Sequence, residues 1–116
     1  MNPSTLPLRA VAADVCVAPQ LTPEAMAEAA RAGIRSDVNN RPDFEFGPDQ
    51  PTNASIEAAA RAAGLEYRFL PVAGSFQTPE QIAAFARLLE ELPRPILAFC
   101  RSGNRSANLF MQAQAR

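Results

Sequence analysis

Apolar positions recur along this chain with two different periods, and the changes of period fall at proline, glycine and capping residues. From Leu8 to Val17, apolar and polar residues nearly alternate around Asp14, which predicts a short strand or hairpin at a sheet edge. Thr22-Pro23-Glu24 supplies a capping hydroxyl, a proline at the first helical position and an early acid facing the helix dipole. A helix is therefore predicted to Ala32, stopped by Gly33, with Ile34 to Asn39 as the next strand and Asn40-Arg41-Pro42-Asp43 as a polar turn.

Phe44 to Asn53 reads as a loop, and Thr52 or Asn53 caps an alanine-rich helix that ends at Gly64. Tyr67 to Leu70 is the following strand, and Pro71 to Gln77 is again a loop. Thr78-Pro79-Glu80-Gln81 combines a proline start with a capping box. Ile82, Phe85, Ala86, Leu89 and Leu92 then recur at helical spacing, so that face is core, and Pro93 and Pro95 end the helix. Ile96-Leu97-Ala98-Phe99 is a continuous apolar run, as a central strand covered on both faces requires, and from Ser106 the composition is helical again. Three helix-to-strand steps and a final helix predict a single α/β domain over residues 1–116, with a largely parallel central sheet flanked by helices. Residues 1–7 read as a loose lead-in. In such sheets, sites form at the carboxyl ends of the strands.

Composition narrows the chemistry. The chain has no histidine, which removes Cys-His and Ser-His-Asp activation and any zinc site built on imidazole; no metal or cofactor is expected. All eleven basic side chains are arginine, so lysine Schiff-base chemistry is excluded too. A net charge of -1 with scattered arginines gives no footprint for nucleic acid, and no basic amphipathic helix marks a membrane surface. With no apolar stretch of membrane-spanning length and no signal-peptide pattern at the N-terminus, the protein is expected in the cytoplasm. Its two cysteines, Cys16 and Cys100, are then free thiols by default.

Cys100 falls where the last strand becomes a helix, in Phe99-Cys100-Arg101-Ser102-Gly103-Asn104-Arg105-Ser106. A thiolate at a helix N-terminus is stabilised by unpaired backbone N–H groups and by the helix dipole. Gly103 lets the backbone turn tightly enough for successive amides to converge above the sulfur, and Asn104 also tolerates left-handed geometry. Arg105 presents a planar fork for two oxygens of an oxyanion, Arg101 adds positive field at the rim, and Ser106 has a hydroxyl to donate toward the sulfur. Strand, cysteine, glycine-containing loop, arginine and helix start occur in the order this chemistry needs. Cys16, in an apolar strand without such a loop, reads as a small core residue, with a resolving thiol as its other use. Asp37 and Asp43 are the carboxylates expected near the sheet's carboxyl edge, although turn and capping roles are commoner for such residues than acid catalysis. Asn40, Arg41 and Asp43 are candidate supports around the site.

These residues resemble a known family, the phosphatase-like domain found alone or joined to the beta-lactamase hydrolase-like proteins, to which sulfurtransferase activity is ascribed. The resemblance spans most of the chain through Gln20-Leu21-Thr22-Pro23, Asn39-Asn40-Arg41-Pro42-Asp43, Ala62-Ala63-Gly64-Leu65-Glu66-Tyr67, Pro71-Val72 and the loop from Cys100 to Ser106. It implies a fold similar to dual-specificity protein phosphatases, whereas the loop itself looks like that of rhodaneses. Three departures from the phosphatase pattern follow. Phe99 stands where a histidine is usual, only Arg101 to Asn104 separate Cys100 from Arg105 rather than five residues, and Pro71 to Gln77, where the acid is expected, has no carboxylate. Asp37 also stands where the family more usually has an apolar residue, and the chain stops soon after its last helix begins.

Losing a general acid typically costs about 10²–10⁴-fold in cleaving an alkyl phosphate, and less for an aryl one. Sulfur transfer needs no such acid. The leading expectation is accordingly a rhodanese-like sulfurtransferase that forms a persulfide on Cys100, with Arg105 as donor clamp. A small-molecule sulfur donor would be its substrate, and a persulfide dioxygenase its functional partner. One alternative is a tyrosine or dual-specificity phosphatase-like hydrolase acting on a phosphate ester through a phosphocysteine. The other is a noncatalytic anion or persulfide-binding module.

Overall fold

The computed structural model describes residues 6–74 and 76–115. In chain order, β1 (Arg9–Ala12) and β2 (Val15–Ala18) are followed by α1 (Glu24–Arg31), β3 (Ser36–Asn39), α2 (Asn53–Ala62) and β4 (Glu66–Phe69). Then come α3 (Pro79–Glu91), β5 (Ile96–Phe99) and α4 (Asn104–Gln114). The strands form one sheet in the order β1-β2-β5-β3-β4, in which only the β1–β2 pair is antiparallel. The expected α/β class with a largely parallel sheet is therefore observed, and the segment from Leu8 to Val17 is a hairpin whose first strand forms the edge. Of the predicted lead-in, Met1 to Thr5 lie outside the described residues, while Leu6 packs against the core.

Local chemistry accounts for the elements. At α3 the Thr78 hydroxyl accepts from the Gln81 amide at 3.1 Å, and the Gln81 side chain accepts from the Thr78 amide at 2.9 Å, so two otherwise unpaired donors are satisfied. At α2 Thr52 is the cap, accepting from the Ser55 amide. β5 is apolar throughout because β2 and β3 flank it and helices cover both faces. Leu97 and Phe99 point into a cluster with Met26 and Ala29 of α1 and Ile56 and Ala60 of α2. Ile96 and Ala98 point the other way, toward Phe85 and Leu89 of α3 and Leu109 and Phe110 of α4. Among the described residues, no helix is long and apolar enough to cross a membrane.

This two-sided burial corrects the expectation for Asp37. Because it is paired with Leu97 on one side and Tyr67 on the other, it sits within β3 on the α1/α2 face rather than at the carboxyl edge. It is wholly buried, and neither carboxylate oxygen has a hydrogen-bond partner among the described residues. Burial pushes its pKa well above the ordinary carboxylate value, which favours the neutral acid.

Replacing an unsatisfied buried carboxyl by an apolar group of similar size, Asp37→Val, is expected to stabilise the fold by about 1–3 kcal/mol at neutral pH. The folded protein holds this proton more tightly than the unfolded chain. Its contribution is thus fully present below about pH 4 and is lost as pH rises toward the raised folded-state pKa. Denaturant melts across that range should show the decline in the wild type and not in the variant; a variant no more stable at neutral pH contradicts this account.

Candidate active site

Cys100 begins the turn that leaves β5, and two neighbouring strands fix its backbone. Its amide donates to the Ala18 carbonyl at 3.3 Å, and the Asn40 amide donates to the Phe99 carbonyl at 2.8 Å. The chain then turns through Gly103, at φ 93°, into α4. This conformation strains any residue with a side chain, and a Cβ here would stand 3.3 Å from the Ala18 carbonyl carbon. The turn aims the Gly103 N–H at Cys100 Sγ, 3.0 Å away. Cys100 is wholly buried yet belongs to neither apolar cluster. A reactant reaches the sulfur only if its cover yields.

Among the described residues, Gly103 supplies the one amide directed at the sulfur. Asn104 is the first residue of α4 rather than a left-handed position, and its amide is taken by the Ser102 hydroxyl at 3.2 Å. No described residue accepts from the amides of Arg101, Ser102, Arg105 or Ser106. Ser106 does not donate to the sulfur as its sequence position suggested. It is fully buried, and its hydroxyl is directed to Asn40 Oδ1 at 2.8 Å. Asn40, also fully buried, gives its amide group to the Leu70 carbonyl at 2.9 Å, so it ties β3, the segment after β4 and α4 together behind the loop.

Arg105 is held from a distance in sequence. Its Nη1 donates to Glu45 Oε2 at 2.9 Å and to the Val72 carbonyl at 2.8 Å, and its Nη2 donates to Glu45 Oε1 at 3.0 Å. Buried Arg41 reaches the same carboxylate through Nε at 3.0 Å and anchors on Gln20 Oε1 at 3.1 Å. Burial raises the Glu45 pKa, but hydrogen bonds from Arg105 and Arg41 and their charges outweigh it and leave the carboxyl below its usual value. Phe46 lies 4.1 Å from the exposed Arg101 guanidinium, a cation–π contact worth about 0.5–1 kcal/mol at such a site.

The other candidates separate from this cluster. Asp43 is exposed and accepts from the Asn53 amide at 2.6 Å, closing the start of α2, so it has the capping role and not that of an acid at the sulfur. Cys16 pairs with Leu97, three residues before Cys100 along β5. That places the two cysteines about 10 Å apart along the strand direction, beyond disulfide reach, which removes the resolving role in this arrangement. Burial, followed by the charge of Asp37, pushes the Cys16 thiol up to about 11.

Glu45 carries no motif that marks it in the sequence, where its segment reads only as a connection. The available signal was its place after the carboxyl end of β3, where loops of a parallel sheet converge. A cavity of about 250 Å³ lies over the turn, lined by Gly74, Arg101, Ser102, Asn104, Arg105 and Asn108. A larger hollow at the opposite ends of β3 and β4, beside Arg35, Gly64 and Glu66, contains no nucleophile. Among the described residues, no cluster of three or more histidine, cysteine or acidic side chains is placed to hold a metal ion.

A family model described as beta-lactamase hydrolase-like protein, phosphatase-like domain, matches residues 7–116. A beta-lactamase hydrolase-like protein of Xylella fastidiosa (strain Temecula1) is 46% identical over 81 residues, which is 70% of this chain and 19% of that protein. The chain thus spans a minor part of that relative's length. Among solved structures, a candidate phosphatase from Neisseria meningitidis superposes with a TM-score of 0.80 at 27% identity, covering 94% of this chain and 75% of the other. P. aeruginosa TpbA, in a Cys-to-Ser form in complex with pTyr, gives a TM-score of 0.60 at 15% identity, covering 90% and 59%, a likeness of fold alone.

Gly103→Ala tests the geometry of the turn. Left-handed alanine costs about 1–2 kcal/mol, and the added Cβ meets main chain that cannot rotate away. Chemical denaturation is expected to show a loss of at least that order, and titration with inorganic phosphate weaker binding. A variant unchanged in both would contradict the placement of the amide.

Proposed function

The chain belongs to the family of phosphatase-like domains of beta-lactamase hydrolase-like proteins, and on that premise we propose that it is a cysteine-dependent hydrolase of aryl phosphate monoesters. The observation that carries this reading is one turn that directs an amide at Cys100 Sγ and, five residues on, supplies an arginine with donors to spare. Cys100 as thiolate attacks phosphorus, an S–P bond forms, and the P–O bond breaks with its electron pair leaving on the aryl oxygen. Water then attacks the phosphocysteine, releasing inorganic phosphate and restoring the thiolate. The loop amides and Arg105 hold the charge on the non-bridging oxygens. Hydrolysis thus moves ahead of sulfur transfer, because the matched fold is that of phosphatases.

Aryl esters are favoured because no described residue brings the site a carboxyl placed to give up a proton. Glu45 is held ionised by two arginines, Asp43 caps α2, and Pro71 to Gln77 contains no acid. A phenolate leaves without a proton far more readily than an alkoxide. The same missing acid favours a second reading, sulfur transfer. There the Cys100 thiolate attacks the sulfane sulfur of thiosulfate, an S–S bond forms, sulfite leaves with the electron pair of the broken bond, and the outer sulfur passes to a thiol or cyanide.

The test is turnover of aryl and alkyl phosphate monoesters in parallel, with intact mass after acid quench. The expected outcome is aryl over alkyl by about 10²-fold or more, a phosphoryl group on Cys100, and both lost in Cys100→Ser. Sulfur added to Cys100 by thiosulfate, with no aryl phosphate cleaved, would reverse the order of the readings. Anion binding with no activity dependent on Cys100 would leave a binding module.

A further inference from the structure

We infer that Glu45 is a positioning residue for oxyanion recognition, setting the Arg105 guanidinium so that one whole edge of it remains for the ligand. The inference rests on the oxyanion-binding loop of the proposed function and applies equally to a phosphate ester or thiosulfate. It follows from counting protons. A guanidinium has five N–H donors. Glu45 Oε2 and the Val72 carbonyl take both protons of Nη1, and Glu45 Oε1 takes one from Nη2. Among the described residues nothing accepts from the other two, Nε–H and the second N–H of Nη2. These lie parallel on one edge, the arrangement that matches two oxygens of a tetrahedral oxyanion. A carboxylate standing in for substrate would be expected on that edge, whereas Glu45 takes the end of the group.

The arm that does this is set independently of any ligand. Gln50, buried, accepts from the Glu45 and Phe46 amides at 3.1 and 3.4 Å and donates to the Pro42 carbonyl at 2.8 Å, which fixes the loop around the acid. Phe44 is left-handed at φ 59°, a conformation a bulky residue adopts only where its surroundings impose it, and the chain direction it sets leads directly into Glu45. Arg41 Nε shares Glu45 Oε1 with Arg105 Nη2, a second charged donor on the same carboxylate. An ionised acid beside an anion site opposes anion binding by its charge. Charge and geometry therefore make opposite demands on Glu45, and the sign of a substitution separates them.

The experiment is titration of the folded protein with inorganic phosphate, alongside aryl phosphate kinetics and thermal melts, for wild type, Glu45→Gln, Glu45→Asp, Arg105→Lys and the Glu45→Gln/Arg105→Lys double variant. Glu45→Gln is expected to weaken phosphate binding about tenfold or more despite removing a negative charge. Glu45→Asp, which keeps the charge and shortens the arm, should weaken it too, and Glu45→Gln should add little once Arg105 is lysine. Tighter or unchanged binding in Glu45→Gln overturns the inference, as does an equal effect in the Arg105→Lys background. If phosphate binding responds as expected but no aryl phosphate is cleaved, the hydrolase reading fails while this inference stands. No phosphate binding by the wild type overturns both.

Discussion

The turn from β5 into α4 is possible only with Gly103 in the left-handed region, and the rest of the site takes its orientation from that turn. Cys100 is hydrogen-bonded to the end of β2, and the space beside the Gly103 Cα is bounded by the main chain of Ala18 and Pro19. The sheet therefore sets where the amide points, and the amide meets the sulfur at 3.0 Å. Behind the turn, Asn40 and Ser106 replace solvent with a closed pair of hydrogen bonds, so α4 starts at a fixed distance from β3.

Two acids on neighbouring stretches of the chain end in opposite states, and the difference explains what chemistry the site can run. Asp37 is buried with no hydrogen-bond partner among the described residues, which favours its neutral form; Glu45 is gripped by Arg41 and Arg105, which favours its charged form. Asp37 lies under α1 and α2, away from the sulfur, while the acid at the site is the one whose arginine partners favour loss of its proton. In a chain without histidine or lysine, backbone amides and arginines are left to stabilise charge, and a good leaving group has to do without an acid.

Local signals carried the fold well. The capping box at Thr78, the apolar run of β5 and the glycine after Cys100 each act within a few residues, which is why they could be read directly. What could not be read was wiring across the sheet. Glu45 and Arg105 are sixty residues apart in sequence and meet at 2.9 Å only because loops after parallel strands share one edge. Ser106 is close to the sulfur in sequence, whereas its hydrogen-bond partner Asn40 arrives from another strand. Asp37 breaks the apolar pattern of a buried strand, and pattern alone does not say on which face or how deep it falls.

The most direct measurement is a crystal structure of Cys100→Ser grown with inorganic phosphate. The account requires the anion in the turn, two oxygens on Arg105 Nε and Nη2, and Glu45 still on the opposite end of that guanidinium. Phosphate bound elsewhere, or bound with Glu45 displaced from Arg105, would contradict it.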